Sequence, residues 1–252
     1  MDLQTVIERM AECLEYIDAH PPAAGSNSRT GGIYQPGLQP IWETAVTRLL
    51  DEAWEALHPG ERPYHDYEIS YPHPVTRAKL DLAFCTEDAD DCNEAEPEWG
   101  IELKRLQFVG DNGKKNDHQV AKVLSPYLKD RGMLHDAIRL KEYGWSKRIA
   151  IIGYGFNYDN NSLLLTSVRH TEPRAIQTLN RMREHIRQEP LHLRPLVEIA
   201  DAILGLRGLS KGGRVETEFE AWAHPAGGRG IVFGWEVRRP EREPDFDPRH
   251  LW

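Results

Sequence analysis

No apolar run in this chain approaches the roughly 20 residues that span a bilayer, and no N-terminal signal pattern precedes the first amphipathic segment. Cysteine is scarce: Cys13, Cys85 and Cys92 form no CxxC and cannot all pair, which suits a reducing compartment. A cytoplasmic protein is expected. His73, His118 and His135 show none of the HxH, HExxH or HxxxH spacings of zinc sites. GxSxG elbows, Walker loops and internal repeats are absent too, and Gly153-Tyr154-Gly155 lacks the third glycine and following helix of a dinucleotide loop. Positive charge is short: 31 Lys and Arg against 40 Asp and Glu leave a net −9. That balance weighs against a phosphate-rich partner, whose contacts need a basic surface.

The distribution of charge softens the objection. Thr86 to Glu98 carries seven acidic residues and no basic one, whereas Lys104 to Arg148 carries eleven basic against five acidic. With 252 residues, 40% hydrophobic and 28% charged, the chain has the balance of one globular domain with a sizeable core. The periodicity predicts a helix over 3–17, a long Pro/Gly-rich connection over 21–40, and a second helix opened by Pro40 at its first turn. Residues 67–71 and 77–84 read as a hairpin through Pro72-His73-Pro74. A helical segment follows from His118, with a restart at Ser125-Pro126, and 147–156 is an apolar strand central in a sheet. Helices over 171–187 and 195–206 and strands over 214–223 and 230–237 complete the pattern; Phe219, Trp222, Phe233 and Trp235 read as core.

Two strands carry the chemistry. In Lys79-Leu-Asp-Leu-Ala-Phe84 the residues Leu80, Leu82 and Phe84 alternate with Lys79, Asp81 and Ala83. In Gly100-Ile-Glu-Leu-Lys-Arg105 the residues Trp99, Ile101 and Leu103 share one face, leaving Glu102 and Lys104 on the other, roughly 6.6 Å apart. If the strands pair, two carboxylates and an ammonium converge on one polar face backed by an aliphatic one. On that reading, truncating Asp81 or Glu102 opens no core cavity. Taken alone, Glu-x-Lys is equally the solvated face of an amphipathic sheet. Carboxylate oxygens suit Mg²⁺, and a lysine beside them can handle a proton or stabilise charge at phosphorus.

Asp81, a spacer, then Glu102-Leu103-Lys104 on an apolar strand resembles the PD-(D/E)xK nuclease superfamily, with Leu80 where that pattern usually has proline. The likeness covers roughly 40–156, with a helix before the hairpin, another after the Glu-x-Lys strand, and then the apolar strand. It implies an α/β fold, a mixed central sheet flanked by helices, with a restriction-endonuclease-like core. The N-terminal helix and connection (1–39) and the C-terminal helices and hairpin (157–252) are then additions to a single domain. It further implies Mg²⁺, with Mn²⁺ as substitute, held by Asp81, Glu102 and the Leu103 carbonyl. Glu43 matches the helical glutamate that members place near the metal, although it also reads as an acid complementing a helix dipole. Catalysis falls to Asp81, Glu102 and Lys104, and substrate contact to Lys114, Lys115 and His118, where solvated loop residues are the competing reading. The expected activity is endonucleolytic cleavage of DNA, of restriction or phage-defence type, with a homodimer as the default assembly. RNA or structured DNA as substrate, and a non-catalytic interaction module, stay open as alternatives.

Overall fold

The computed structural model describes residues 1–23, 25–26, 33–59, 65–71, 78–84, 97–107, 120–157, 192–224 and 228–238. Among these, six strands form one sheet in the order β1 (His65–Ser70), β2 (Lys79–Phe84), β3 (Trp99–Leu106), β4 (Arg148–Phe156), β6 (Gly228–Glu236), β5 (Val215–Ala221). Only β3 and β4 run parallel; the other neighbours are antiparallel. A parallel pair needs a crossover, and here the chain between β3 and β4 carries short α3 (Val120–Val123), a 3₁₀ turn (Leu128–Asp130) and α4 (Met133–Tyr143). The fold is mixed α/β. Among the described residues no helix is long and apolar enough to cross a membrane.

Helices cover both faces of the sheet. On one side, α1 (Leu3–Ala19) and α2 (Glu43–Leu57) bury Val6, Ile7, Met10, Leu14, Val46, Leu50 and Trp54 against Leu82, Ile101, Leu103, Ile152 and Phe219. Asp2 caps α1 by accepting the Thr5 N–H at 2.8 Å, and the 3-4 spacing of Leu3, Ile7, Met10, Leu14 and Ile17 turns one stripe inward. On the other side, α4 and α5 (Arg194–Leu206) bury Leu134, Ala137, Leu140, Val197 and Leu204 against Ile149, Ile151, Phe233 and Trp235. β4 is therefore buried on both faces, as its unbroken apolar run requires. Gly153 is essential to that layer, because a Cβ there would overlap the Phe233 ring. Gly153→Ala is expected to cost about 1–3 kcal/mol of stability through overpacking, read as a lower denaturant midpoint at unchanged slope.

Two features depart from the sequence reading. First, α2 starts at Glu43 rather than at Pro40. The Arg105 guanidinium gathers the carbonyls of Gln39 and Ile41 and holds the approach in a turn. Just upstream, the buried Asp18 carboxylate accepts the N–H groups of Leu38 (2.8 Å) and Ala223 (2.9 Å), beside Gly37 at φ +90°, so the segment leading to Glu43 is tied from two sides. Second, Ser125-Pro126 opens only the 3₁₀ turn, with the Ser125 hydroxyl accepting the Tyr127 N–H; α4 begins beyond Gly132. The segments read as additions to a 40–156 core pack against it within the same sheet and layers. α1 packs directly on the sheet, and β5 and β6 extend it beyond β4. Phe219, Phe233 and Trp235 are buried as expected, but Trp222 is exposed. The 171–187 helix lies outside the described residues.

Candidate active site

Antiparallel pairing of β2 with β3 runs from Phe84↔Trp99 through Leu82↔Ile101 and then ends. Beyond that point the β3 edge still presents main-chain N–H groups, which must find acceptors when buried. Side chains supply them. Asp81 Oδ2 accepts the Leu103 N–H at 2.7 Å, and Glu43 Oε2, from the first turn of α2, accepts the Arg105 N–H at 2.8 Å. The strands part at Asp81, and two carboxylates fill the fork. One residue of alternation places Glu102 and Lys104 on the α4 side of β3, where the sequence reading left an exposed polar face.

That face is covered. Glu102 is 1% exposed and so is no solvated partner of a surface lysine. Its Oε1 accepts the Tyr71 hydroxyl at 2.6 Å and Arg139 Nη2, also at 2.6 Å. The same Nη2 lies 3.0 Å from Asp136 Oδ1, to which His135 Nδ1 also bonds at 2.9 Å. Asp136 Oδ2 is 2.6 Å from Lys104 Nζ. The Arg139 guanidinium stands 5.2 Å from the Tyr71 ring centroid. Tyr71, Glu102, Arg139, Asp136 and Lys104 thus form one continuous chain of charge-assisted contacts, anchored on β3, α4 and the residue after β1.

Burial and mutual repulsion set the protonation of this cluster. Desolvation pushes Asp81 up to about 6, Glu43 and Asp136 adding to the rise, while Lys104 and the Leu103 N–H oppose it. Glu102 is raised well above the usual carboxylate range by its burial and by Asp81 and Asp136. Contact with Arg139 and the nearby charge of Lys104 only partly offset this, because full desolvation and two like charges outweigh them. Asp136 goes the other way: burial would raise it, but Lys104, the His135 bond and Arg139 together hold it down to about 2. Burial works against the Lys104 ammonium, yet the carboxylates of Asp136, Glu43, Asp81 and Glu102 outweigh it and raise its pKa. Lys104 is therefore a cation at neutral pH. As an ammonium it can donate hydrogen bonds and stabilise negative charge but cannot accept a proton.

Of the residues singled out in the sequence, Glu43, Asp81, Glu102, Leu103 and Lys104 meet at this fork. Lys114, Lys115 and His118 lie outside the described residues. Tyr71, Asp136 and Arg139 were not anticipated. The available signal was two charged residues, Asp136 and Arg139, one turn apart beside the apolar stripe Met133, Leu134, Ala137, Leu140 of α4. Comparison of the chain with family models, curated proteins and solved structures finds no match. Among the described residues, no three His, Cys, Asp or Glu side chains are arranged to hold a metal ion. Asp81, Glu43, Glu102 and Asp136 instead each hold a protein donor.

Proposed function

We propose that this protein is a metal-dependent endonuclease that hydrolyses DNA phosphodiesters, with a restriction-endonuclease-like core. The observation that carries the reading is the gathering of Asp81, Glu102 and Lys104 at a strand fork, Glu102 buried and the other two half-buried, at a cost in desolvation that a solvated sheet face never incurs. The order of elements supports it: helix α2, hairpin β1–β2, the Glu-x-Lys strand β3, helix α4, and the apolar strand β4 parallel to β3.

Carboxylate oxygens are the donors a hard divalent cation takes, although among the described residues each is now turned to a protein donor rather than arranged around an ion. The carboxylates of Glu43, Asp81, Glu102 and Asp136 all act on Lys104, and burial first, mutual repulsion second, raises Asp81 and Glu102, a penalty on their charged forms that a divalent ion would offset. Asp81 and Glu102 would hold Mg²⁺ or Mn²⁺, with the Leu103 carbonyl and with Glu43 further out. The Leu103 carbonyl leaves the strand on the same edge as the N–H that meets Asp81, where β2 no longer pairs with β3. When bound, such an ion lowers the pKa of a water and offsets charge on the phosphate. Lys104, kept as an ammonium by Asp136, places a fixed positive charge where the pentacovalent phosphate develops its own. Asp136 and Arg139 orient Lys104 and Glu102, so neither side chain must be ordered during the reaction. Calcium, larger and less activating, is expected to bind without supporting cleavage.

Asp81 offers its oxygens to a cation only after losing its proton. Cation affinity should therefore fall as pH drops through about 6, with protonation of Glu102, also raised, adding to the loss. A calorimetric Ca²⁺ titration from pH 5 to 8 checks this; a flat profile removes Asp81 from the binding set. A nicking assay on plasmid DNA, run beside single-stranded DNA and RNA, tests the activity itself. Cleavage confined to RNA or to structured DNA selects the alternative substrates, and no cleavage of any of them leaves the interaction module.

A further inference from the structure

Three cations and a tyrosine stand exposed on the crossover that leads from β3 into α4: Lys122, Lys129, Arg131 and Tyr127, the tyrosine at 65% exposure. The segment that carries them is folded on itself. The Ser125 N–H donates to the Lys122 carbonyl at 3.2 Å, and the Ser125 hydroxyl accepts the Tyr127 N–H at 3.1 Å. That hydroxyl in turn donates to Asp130, the one acid of the turn, and the Arg131 N–H closes on the Leu128 carbonyl. The two ends meet, since a Cβ on Gly132 would lie 2.4 Å from the Lys122 carbonyl oxygen. Among the described residues Arg131 alone combines a side chain with positive φ, at φ 51° and ψ 41°, a conformation that glycine adopts without steric penalty. Lys129 Nζ stands 5.9 Å from the Tyr127 ring centroid. No acid among the described residues pairs with Lys122, Lys129 or Arg131, whereas Arg9, Arg48, Arg139, Arg148, Arg194 and Arg214 each hold a carboxylate.

We infer that this turn is a docking surface for the phosphodiester backbone of a nucleic acid, with Lys122, Lys129 and Arg131 on phosphates and the Tyr127 ring against a base. In a chain of net charge −9, cations left without acids are the groups that phosphates can take up, and the counterions so released drive the binding. An exposed ring beside a lysine offers a stacking face that every base fits. The turn is also joined to the fork. The Gly132 carbonyl accepts the Asp136 N–H at 3.1 Å, so the turn ends one helical turn before the aspartate that holds Lys104. The backbone at Arg131 argues the same way, because a residue that the geometry disfavours is retained where its charge faces solvent. The identity of the partner rests on the nuclease reading given above; the geometry and charge of the turn do not, and they involve no cation at the fork.

Fluorescence anisotropy of labelled duplex and single-stranded DNA, in EDTA and over a series of salt concentrations, tests binding without turnover. Lys122→Gln, Lys129→Gln and Arg131→Gly combined should weaken duplex binding at least about tenfold. The slope of log affinity against log salt should flatten by about 2–3, at ~0.9 per phosphate contact. Tyr127→Ala should weaken single-stranded DNA about 5- to 150-fold, the range that losing one stacked base spans, with the slope unchanged. Arg131→Gly alone should unfold at the same or a higher temperature than wild type while binding DNA less tightly, an outcome that a purely structural arginine does not give. Wild-type affinity and slope in the triple variant overturn the assignment, as does a wild-type protein that binds phosphatidylserine vesicles but no nucleic acid. DNA bound through this turn but never nicked in Mg²⁺ removes the cleavage reading and leaves the docking surface standing.

Discussion

Asp81→Asn is expected to remove metal-dependent cleavage by at least about a thousandfold while leaving the protein folded. A thousandfold is about 4 kcal/mol of transition-state stabilisation at ~1.36 kcal/mol per tenfold. The amide oxygen of asparagine can still accept the Leu103 N–H, which Asp81 accepts at 2.7 Å, so the edge of β3 stays satisfied. What is lost is the negative charge, and with it the affinity for a hard cation. The variant should also show a shallower fall in Ca²⁺ affinity below about pH 6, because one of the two titrating carboxylates is gone. An active Asp81→Asn protein would falsify the metal-ligand role of this residue.

Glu102 separates folding from function in the opposite way. Its truncation to alanine strands the Tyr71 hydroxyl and one of the two carboxylate contacts of Arg139 in a buried setting. Removing one member of a buried ion pair typically costs about 3–5 kcal/mol, a large share of a domain's total stability. This differs from the expectation drawn from strand alternation alone, in which Glu102 stood on a polar face whose truncation cost the core nothing. Glu102→Gln retains an acceptor for Tyr71 and most of the shape, so its loss of stability should be smaller than that of Glu102→Ala, with cleavage still abolished. Chemical denaturation of both variants checks the ranking. Equal stability of Glu102→Ala and wild type would mean that the Tyr71–Glu102–Arg139 contacts contribute nothing net.

Strand and helix periodicity made most of the architecture legible. The alternation in Trp99 to Leu106, the unbroken apolar run of β4 and the 3-4 spacing of α1 each reflect a local pattern fixed by which face is buried. Strand alternation brought Asp81, Glu102 and Lys104 into one neighbourhood from the sequence alone, and the family resemblance added Glu43. Their surroundings were not legible, because tertiary packing decides them. Alternation cannot say that α4 covers the polar face of β3, and without α4 there is no Asp136 to hold Lys104 as a cation. Nor can it show β2 and β3 parting at Asp81, which turns two carboxylates from cross-strand neighbours into caps on the β3 edge. The start of α2 shifted for a similar reason. A first-turn proline is a sound local signal, but Arg105, 65 residues along the chain from Pro40, decides where the helix begins.

The central claim is that a cation held at the Asp81–Glu102 fork and the Lys104 ammonium together hydrolyse phosphodiesters. Its most direct test is nicking of supercoiled plasmid by wild-type protein and Lys104→Met, purified side by side, in Mg²⁺ and in excess EDTA. Methionine keeps the apolar stem and removes the charge, while Asp136 retains His135 and Arg139. The account predicts nicking by wild type in Mg²⁺ only, with Lys104→Met slower by about a hundredfold or more, the range for losing one preorganised charge at the reacting centre. Nicking that persists in EDTA, or Lys104→Met cutting at the wild-type rate, contradicts it.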